Sequence, residues 1–182
     1  MLNERTKLIG IAGRAGAGKD VVASALIASE GFKKVSFADA IKDGCAVMFG
    51  VDRALFDDRE RKEQVIDWIG KSPRQLAQLA GTEFGRGLVR DDIWLLTALR
   101  KMDPAFSCVI SDVRFENEAD FIRKNGGVML HVRRPGTEAG TTSAHSSESG
   151  VKIQQGDFCV ENDCATAQEF AEKAMAVLGN VV

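Results

Sequence analysis

Eight consecutive residues, Gly13-Arg14-Ala15-Gly16-Ala17-Gly18-Lys19-Asp20, constrain the fold of this chain more than any other stretch. Three glycines so close together predict a tight turn in which backbone N–H groups converge, because no Cβ blocks the strained dihedrals or the approach of an anion. Upstream, Lys7-Leu8-Ile9-Gly10-Ile11-Ala12 reads as a short buried strand. Downstream, Val21 to Ile27 continues as a helix that ends near Glu30-Gly31. Strand, glycine loop and helix form the context of the phosphate-binding pattern G-x-x-x-x-G-K-[ST], with Asp20 where that pattern has a hydroxyl residue. Lys19 supplies a mobile positive charge for outer phosphates. The Asp20 carboxylate is a hard oxygen ligand suited to Mg²⁺, and it needs a cation between itself and a polyphosphate. Asp is also favoured in a first helical turn, so a purely helix-capping Asp20 is the plain alternative.

The rest of the chain alternates strand-like and helix-like runs. Further strands are expected at Lys34–Phe37, Cys108–Ser111, Val128–Val132 and, more weakly, Phe158–Val160. Helices are expected from Ala40 to Phe49, from Ser72-Pro73 onward with Leu76, Ala77, Leu79 and Ala80 on one side, from Asp92 to Met102, from Asn117 to Asn125, and from Ala165 to Leu178. Strands separated by helices predict an α/β fold: a doubly wound parallel sheet of about five strands with right-handed crossovers. At 182 residues the chain is read as a single domain, 1–182. The run Asp57–Glu63 reads as a solvated helix face. Arg133 to Gln155 is rich in Gly, Thr, Ser and Glu and nearly without apolar residues, and a stretch of that length suits either a lid, about 133–155, or a surface excursion.

Net charge excludes a broad class of partners. With 24 basic against 26 acidic residues, the chain has no electrostatic footprint for nucleic acid, so phosphate is expected in a local pocket. No apolar run reaches membrane-spanning length and the first residues lack a signal-peptide core, so a cytoplasmic protein is expected. Cys45, Cys108, Cys159 and Cys164 lack metal-site spacing and read as buried free thiols. His145, beside Ser146, Ser147 and Glu148, is isolated from other groups that would build a metal site or a hydrolase triad.

Ligands of open α/β sheets gather beyond the carboxyl ends of the strands, and polar residues stand at each such position. Asp39 follows the second strand, Asp112 and Arg114 the third, Arg133 and Arg134 the fourth. Asp112 suits the second acid of a phosphate-loop enzyme, with a helix cap as its alternative. Asp39 suits orienting or deprotonating an attacking oxygen, joining a magnesium shell, or capping its own helix. Arg114, Arg133 and Arg134 suit charge neutralisation during phosphoryl transfer. Arg74 and Arg86 offer forks for phosphate, Gln75 and Gln78 offer amides for a base edge, and Trp94 is either a stacking platform or a core side chain.

These residues resemble the bacteriophage deoxynucleoside monophosphate kinases, a branch of the P-loop nucleoside monophosphate kinases. Five stretches carry the resemblance: Gly13 to Asp20; Ser36-Phe37-Ala38-Asp39 with Lys42; Pro73-Arg74-Gln75 through Gly81-Thr82-Glu83 to Arg86; Ile110 to Ala119; and Gly126-Gly127 through Val132-Arg133-Arg134-Pro135. The resemblance implies a P-loop kinase fold with a lid insertion and an acceptor-binding helical region at about 38–103. It implies ATP-dependent phosphorylation of a deoxynucleoside 5′-monophosphate to the diphosphate, with Mg²⁺. On that basis Gly13 to Lys19 hold the ATP phosphates, and Asp20 and Asp112 serve the metal. Asp39, Lys42, Arg74, Arg86 and Arg114 face the acceptor, Gln75, Gln78 and Trp94 lie near its base, and Lys19, Arg133 and Arg134 act on the transferring phosphate. A homodimer is also implied. Dephospho-coenzyme A kinase is the nearest enzymatic rival, but that family keeps a hydroxyl residue after the loop lysine. A non-catalytic ATP-sensing module is the rival of another class, and it has no use for acceptor-side arginines. No Asn-Lys-x-Asp sequence supports guanine reading by a GTPase.

Overall fold

The computed structural model describes residues 6–136 and 150–181, and the chain divides into two compact units. Residues 1–36 and 102–182 form the first unit, Phe37–Lys101 the second. Among the described residues of the first, five strands make one all-parallel sheet: β1 (Leu8–Ala12), β2 (Lys33–Val35), β3 (Cys108–Val113), β4 (Val128–Arg133) and β5 (Phe158–Glu161). Their spatial order is β2-β3-β1-β4-β5. β1 is buried along its whole length, as a central parallel strand covered on both faces must be. The edge strand β2 exposes Lys33 and Lys34, charges that discourage edge-to-edge pairing.

Helices cover both faces of the sheet. Helix α1 (Lys19–Glu30) and the C-terminal helix of the chain, Ala167–Leu178, pack on one face, where Ile9, Ile11, Val22, Leu26, Val109, Leu130, Phe170 and Leu178 form the core. The helix Glu116–Lys124 lies on the other face, so close to β1 that a Cβ on Gly10 would sit 2.4 Å from Ile122 Cδ1 and 2.6 Å from Met129 Sδ. The sheet register slips between β1 and β3: Gly10 pairs with Ile110 but Ala12 with Val113. β3 thus carries one extra residue at Ser111-Asp112, a bulge that breaks the strict alternation of side chains.

Ahead of β5, a charge cluster ties the segment 150–157 to the sheet and the Glu116–Lys124 helix. The Asp157 side chain is 3% exposed and accepts from Arg123 Nη2 at 2.6 Å and from the Gln154 N–H at 2.9 Å, with His131 Nε2 2.9 Å away. Burial alone would raise the Asp157 carboxyl, but Arg123, the Gln154 N–H and His131 together hold it down at about 2. The Lys152 N–H adds a bond to Glu116 Oε1 at 2.6 Å.

The second unit contains α2 (Asp39–Phe49), α3 (Pro73–Gln78) and α4 (Ile93–Lys101), with a 3₁₀ turn at Arg53–Phe56 and another at Arg61–Glu63. With these named, the helix Glu116–Lys124 is α5 and Ala167–Leu178 is α6. Cys45, Ala46, Phe56 and Leu76 are the core of the second unit. The start of α3 is a reciprocal capping box: Ser72 Oγ accepts from the Gln75 N–H and Gln75 Oε1 from the Ser72 N–H.

Several local expectations are corrected. The helix expected to continue past Gln78 turns π-helical from Leu79 to Val89. Its wider i→i+5 winding carries later residues off the 3.6-residue register, and Leu79, expected on the apolar side, is 43% exposed at its start. The wider turn leaves room for Trp94, whose Nε1 donates to Gly81 O at 2.7 Å and whose ring would lie 2.3 Å from a Cβ at Gly85. The Asp57–Glu63 run is turns and a 3₁₀ turn, not a continuous helix, because its Asp side chains bond nearby backbone: Asp58 Oδ1 accepts from Glu60 N and Arg61 N. Of the four thiols only Cys45 and Cys108 are buried; Cys159 alternates outward on the edge strand β5 and Cys164 is half-exposed. Among the described residues no helix is long and apolar enough to cross a membrane. The expected lid overlaps residues 137–149, outside the described residues, and so do His145, Ser146, Ser147 and Glu148.

Candidate phosphate-binding and acceptor sites

Gly13 to Asp20 leave β1 and open α1, and each glycine sits at positive φ: Gly13 at +151°, Gly16 at +77° and Gly18 at +111°. Two of them are required by space as well as by dihedral angle. A Cβ on Gly13 would lie 2.4 Å from Val132 O, and one on Gly18 would lie 2.7 Å from Asn162 Nδ2 and 2.8 Å from Phe170 Cε1. Gly13, Arg14, Ala15 and Gly16 are exposed, whereas Ala17 is buried and fastens the loop to the sheet. Its carbonyl accepts from Asn162 Nδ2 at 2.8 Å, and the Asn162 N–H donates to Arg133 O at 2.7 Å. Nothing local in the sequence marks Asn162, which reaches the loop from beyond β5.

Lys19 Nζ donates to Gly13 O at 2.7 Å and Arg14 O at 2.9 Å, so its ammonium lies across the mouth of the loop. Burial and the nearby Arg114 pull Lys19 below its ordinary range, and Asp20 and Asp112 pull the other way. Lys19, Asp20, Asp112 and Arg114 are therefore electrostatic neighbours, gathered at the carboxyl ends of β1 and β3. Asp20 Oδ1 lies 3.2 Å from Lys34 Nζ and 3.5 Å from Ser111 Oγ. Asp112 Oδ2 accepts from Ser36 Oγ at 2.7 Å. Asp112 is inside β3, and just ahead of α5 the N–H groups of Arg114 and Phe115 donate to the buried Glu118 carboxylate. Asp20, Asp112, Ser36 and Ser111 supply hard oxygens, and among the described residues no group of three or more His, Cys, Asp or Glu is placed to hold a metal ion by itself. One or two carboxylates completed by substrate phosphates are what Mg²⁺ prefers over an all-protein cage, and hard oxygens are the donors it takes.

Arg134 Nη1 reaches Gly16 O at 3.4 Å, whereas Arg133 is the exposed last residue of β4, not the first beyond it. Beside the loop, Gly16, Gly18, Lys19, Asn162, Thr166 and Phe170 line a cavity of about 400 Å³. Thr166 also caps α6, accepting from the Glu169 N–H at 3.2 Å.

Within the second unit, Asp39 is the first residue of α2 and its carboxylate meets Arg53 Nη2 at 3.3 Å. Ala38, the cap of that helix, makes no side-chain capping bond. Lys42 Nζ donates to Asp57 Oδ1 at 2.7 Å. Arg74 Nε pairs with Glu63 Oε1 at 2.8 Å, and the Arg86 side chain, 8% exposed, donates to Asp91 O at 2.9 Å. Gln75 spends its carbonyl oxygen on the capping box, Gln78 is half-buried, and Trp94 is half-buried with its indole N–H committed to Gly81.

Comparison with known proteins places the chain in a family. A family model described as deoxynucleotide monophosphate kinase matches residues 52–173. A protein of Acanthamoeba polyphaga mimivirus, named as a candidate deoxynucleotide monophosphate kinase, is 35% identical over 190 residues, covering 95% of this chain and 96% of that protein. The deoxynucleoside-5′-monophosphate kinase of Escherichia phage T5 is 37% identical over 100 residues, half of this chain but only 40% of the phage protein. The crystal structure of a candidate kinase from Chloroflexus aurantiacus superposes with a TM-score of 0.50 at 13% identity, covering 97% of this chain and 98% of that one, a likeness of fold alone. The chain belongs to the deoxynucleotide monophosphate kinase family and is an enzyme of the nucleoside monophosphate kinase class.

Proposed function

We propose that the protein transfers the γ-phosphoryl group of ATP to the 5′-phosphate of a deoxynucleoside monophosphate. An oxygen of the acceptor phosphate forms the new P–O bond, the bond between the γ-phosphorus and the β,γ-bridging oxygen breaks, and ADP leaves. The observation that carries the reading is a three-glycine loop at the carboxyl end of a parallel strand, with the Lys19 ammonium across its mouth and Asp20 3.5 Å from Ser111 of β3. The loop N–H groups and Lys19 hold the donor phosphates, and the cavity lined by Asn162, Thr166 and Phe170 has room for the donor nucleoside. Asp20 and Asp112 would hold Mg²⁺, which when bound neutralises phosphate charge and orients the donor. Lys19, Arg114 and Arg134 stabilise charge on the transferring group, with Arg133 beside them. On the acceptor side, Arg74, Arg86 and Lys42 bind phosphate, Gln75, Gln78 and Trp94 form the wall for the base, and Asp39 orients the attacking oxygen.

Such an enzyme draws on the cytoplasmic ATP pool and needs no nucleic-acid partner. Exposed Val47, Met48, Trp68 and Leu88 on the second unit support a homodimer, which light scattering would test. The deciding experiment measures ADP release from ATP and Mg²⁺ with each deoxynucleoside monophosphate in turn, with chromatographic identification of the diphosphate. Diphosphate formation is expected; a background ATPase that no monophosphate stimulates, with no diphosphate formed, would overturn the reading.

A further inference from the structure

In the second unit, Arg53 touches three carboxylates. Nε donates to Asp43 Oδ1 at 2.7 Å, Nη1 to Asp57 Oδ2, and Nη2 to Asp39 Oδ1 at 3.3 Å. Lys101 Nζ also reaches Asp43, at 3.5 Å, and Lys42 Nζ also holds Asp57, at 2.7 Å. Three cations thus face three carboxylates, with Arg53 at the centre. Its base is firm: Asp52 caps the 3₁₀ turn by accepting from the Ala54 N–H at 2.9 Å, and Phe56 of the same turn is in the core.

Two of the three arms already tether the 3₁₀ turn, one to α2 through Asp43 and one to Asp57. The arm to Asp39 adds little tethering, because Asp39 and Asp43 stand one turn apart on the same helix. Its effect falls on Asp39 itself, a half-exposed side chain at the start of α2. An Arg fork fixes direction as well as distance, which a lysine cannot do. Building on the role proposed above for Asp39, we infer that Arg53 is a positioning residue of the reaction, holding the Asp39 carboxylate in the direction from which it orients the acceptor phosphate. The plain alternative is that Arg53 only offsets repulsion between Asp39 and Asp43.

Steady-state kinetics of Arg53→Met, Arg53→Lys, Asp39→Asn, Asp43→Asn and the Arg53→Met/Asp39→Asn pair separate the two. Misdirection of a reacting group costs on the order of tenfold to a hundredfold, so Arg53→Met is expected to lower kcat by about tenfold or more with KM for ATP within about twofold. Arg53→Lys keeps the charge; with its fold checked by circular dichroism, it is expected to lose kcat comparably. In the Asp39→Asn background, Arg53→Met should cost less than about twofold more, because the carboxylate it aims is gone. Asp43→Asn, which severs only a tether, should stay within about twofold of the parent. Unchanged kcat in Arg53→Lys, or losses that multiply in the double variant, would overturn the positioning role. Full activity in Asp39→Asn would overturn the role of Asp39 and the inference with it, whereas no diphosphate from the unaltered enzyme would defeat the kinase reading first.

Discussion

Gly16→Ala and Gly18→Ala place the same methyl group two residues apart in one loop, and the structure separates their costs. Both positions have positive φ, +77° and +111°, so each alanine incurs backbone strain of about 1–2 kcal/mol. At Gly16 the new Cβ meets nothing within 4 Å. At Gly18 it meets Asn162 Nδ2 at 2.7 Å and Phe170 Cε1 at 2.8 Å, both below any ordinary contact. Neither neighbour yields easily. Asn162 is bonded to Ala17 O and Arg133 O, and Phe170 is 1% exposed. Overpacking of that kind adds about 1–3 kcal/mol, so Gly18→Ala should be less stable than Gly16→Ala by that amount. For a chain of this size the gap corresponds to about 2–12 °C in Tm by calorimetry, at about 2–4 °C per kcal/mol. Phe170→Leu in the Gly18→Ala background removes the nearer ring atoms and should recover part of the loss attributable to the clash. Equal Tm shifts in the two alanine variants, or no recovery with leucine, would refute the packing argument.

Lys19→Ala should abolish turnover, read as diphosphate formation, while leaving the far-ultraviolet spectrum and Tm close to the parent, because the ammonium binds charge and fills no core. Asp20→Ser should keep part of the activity but need more Mg²⁺, since a hydroxyl is a weaker ligand; an unchanged magnesium titration would remove any special role for the carboxylate. Asp157, with its carboxyl at about 2 instead of the usual 3.8, contributes about 2 kcal/mol above pH 4, and that contribution is lost as pH falls from about 4 to 2. Thermal melts across that window should therefore show a steeper decline for the parent than for Asp157→Asn; parallel curves would exclude it.

What could be read from sequence was what is local. The glycine loop, its flanking strand and helix, and the alternation behind the parallel sheet are written in neighbouring residues, so β1, α1 and the strand-end acids were legible. Asp112 was legible as an acid at the end of a strand, but not the bulge at Ser111-Asp112, which depends on register with β1. The π-helical winding of Leu79–Val89 was hidden because an apolar pattern spaced for an ordinary helix fits both forms until Trp94, from the next helix, selects one. Asn162 and Arg53 carried no signal at all. Each acts on a partner distant in sequence, Ala17 in one case and Asp39 in the other, and Arg53 sits close to a charged run that reads as solvated surface.

In sequence the second unit is a single uninterrupted stretch, Phe37–Lys101, with residues of the first unit before and after it along the chain. Every residue assigned above to acceptor recognition, apart from Arg114, lies inside that stretch, and every residue of the glycine loop lies outside it. If those proposed roles hold, inheritance can treat the two halves of the reaction as separate characters. Recombination with one crossover at each edge would then exchange the monophosphate preference wholesale while the ATP machinery is passed on unaltered. On that assignment, selection can rewrite one paragraph of the enzyme without re-editing the other.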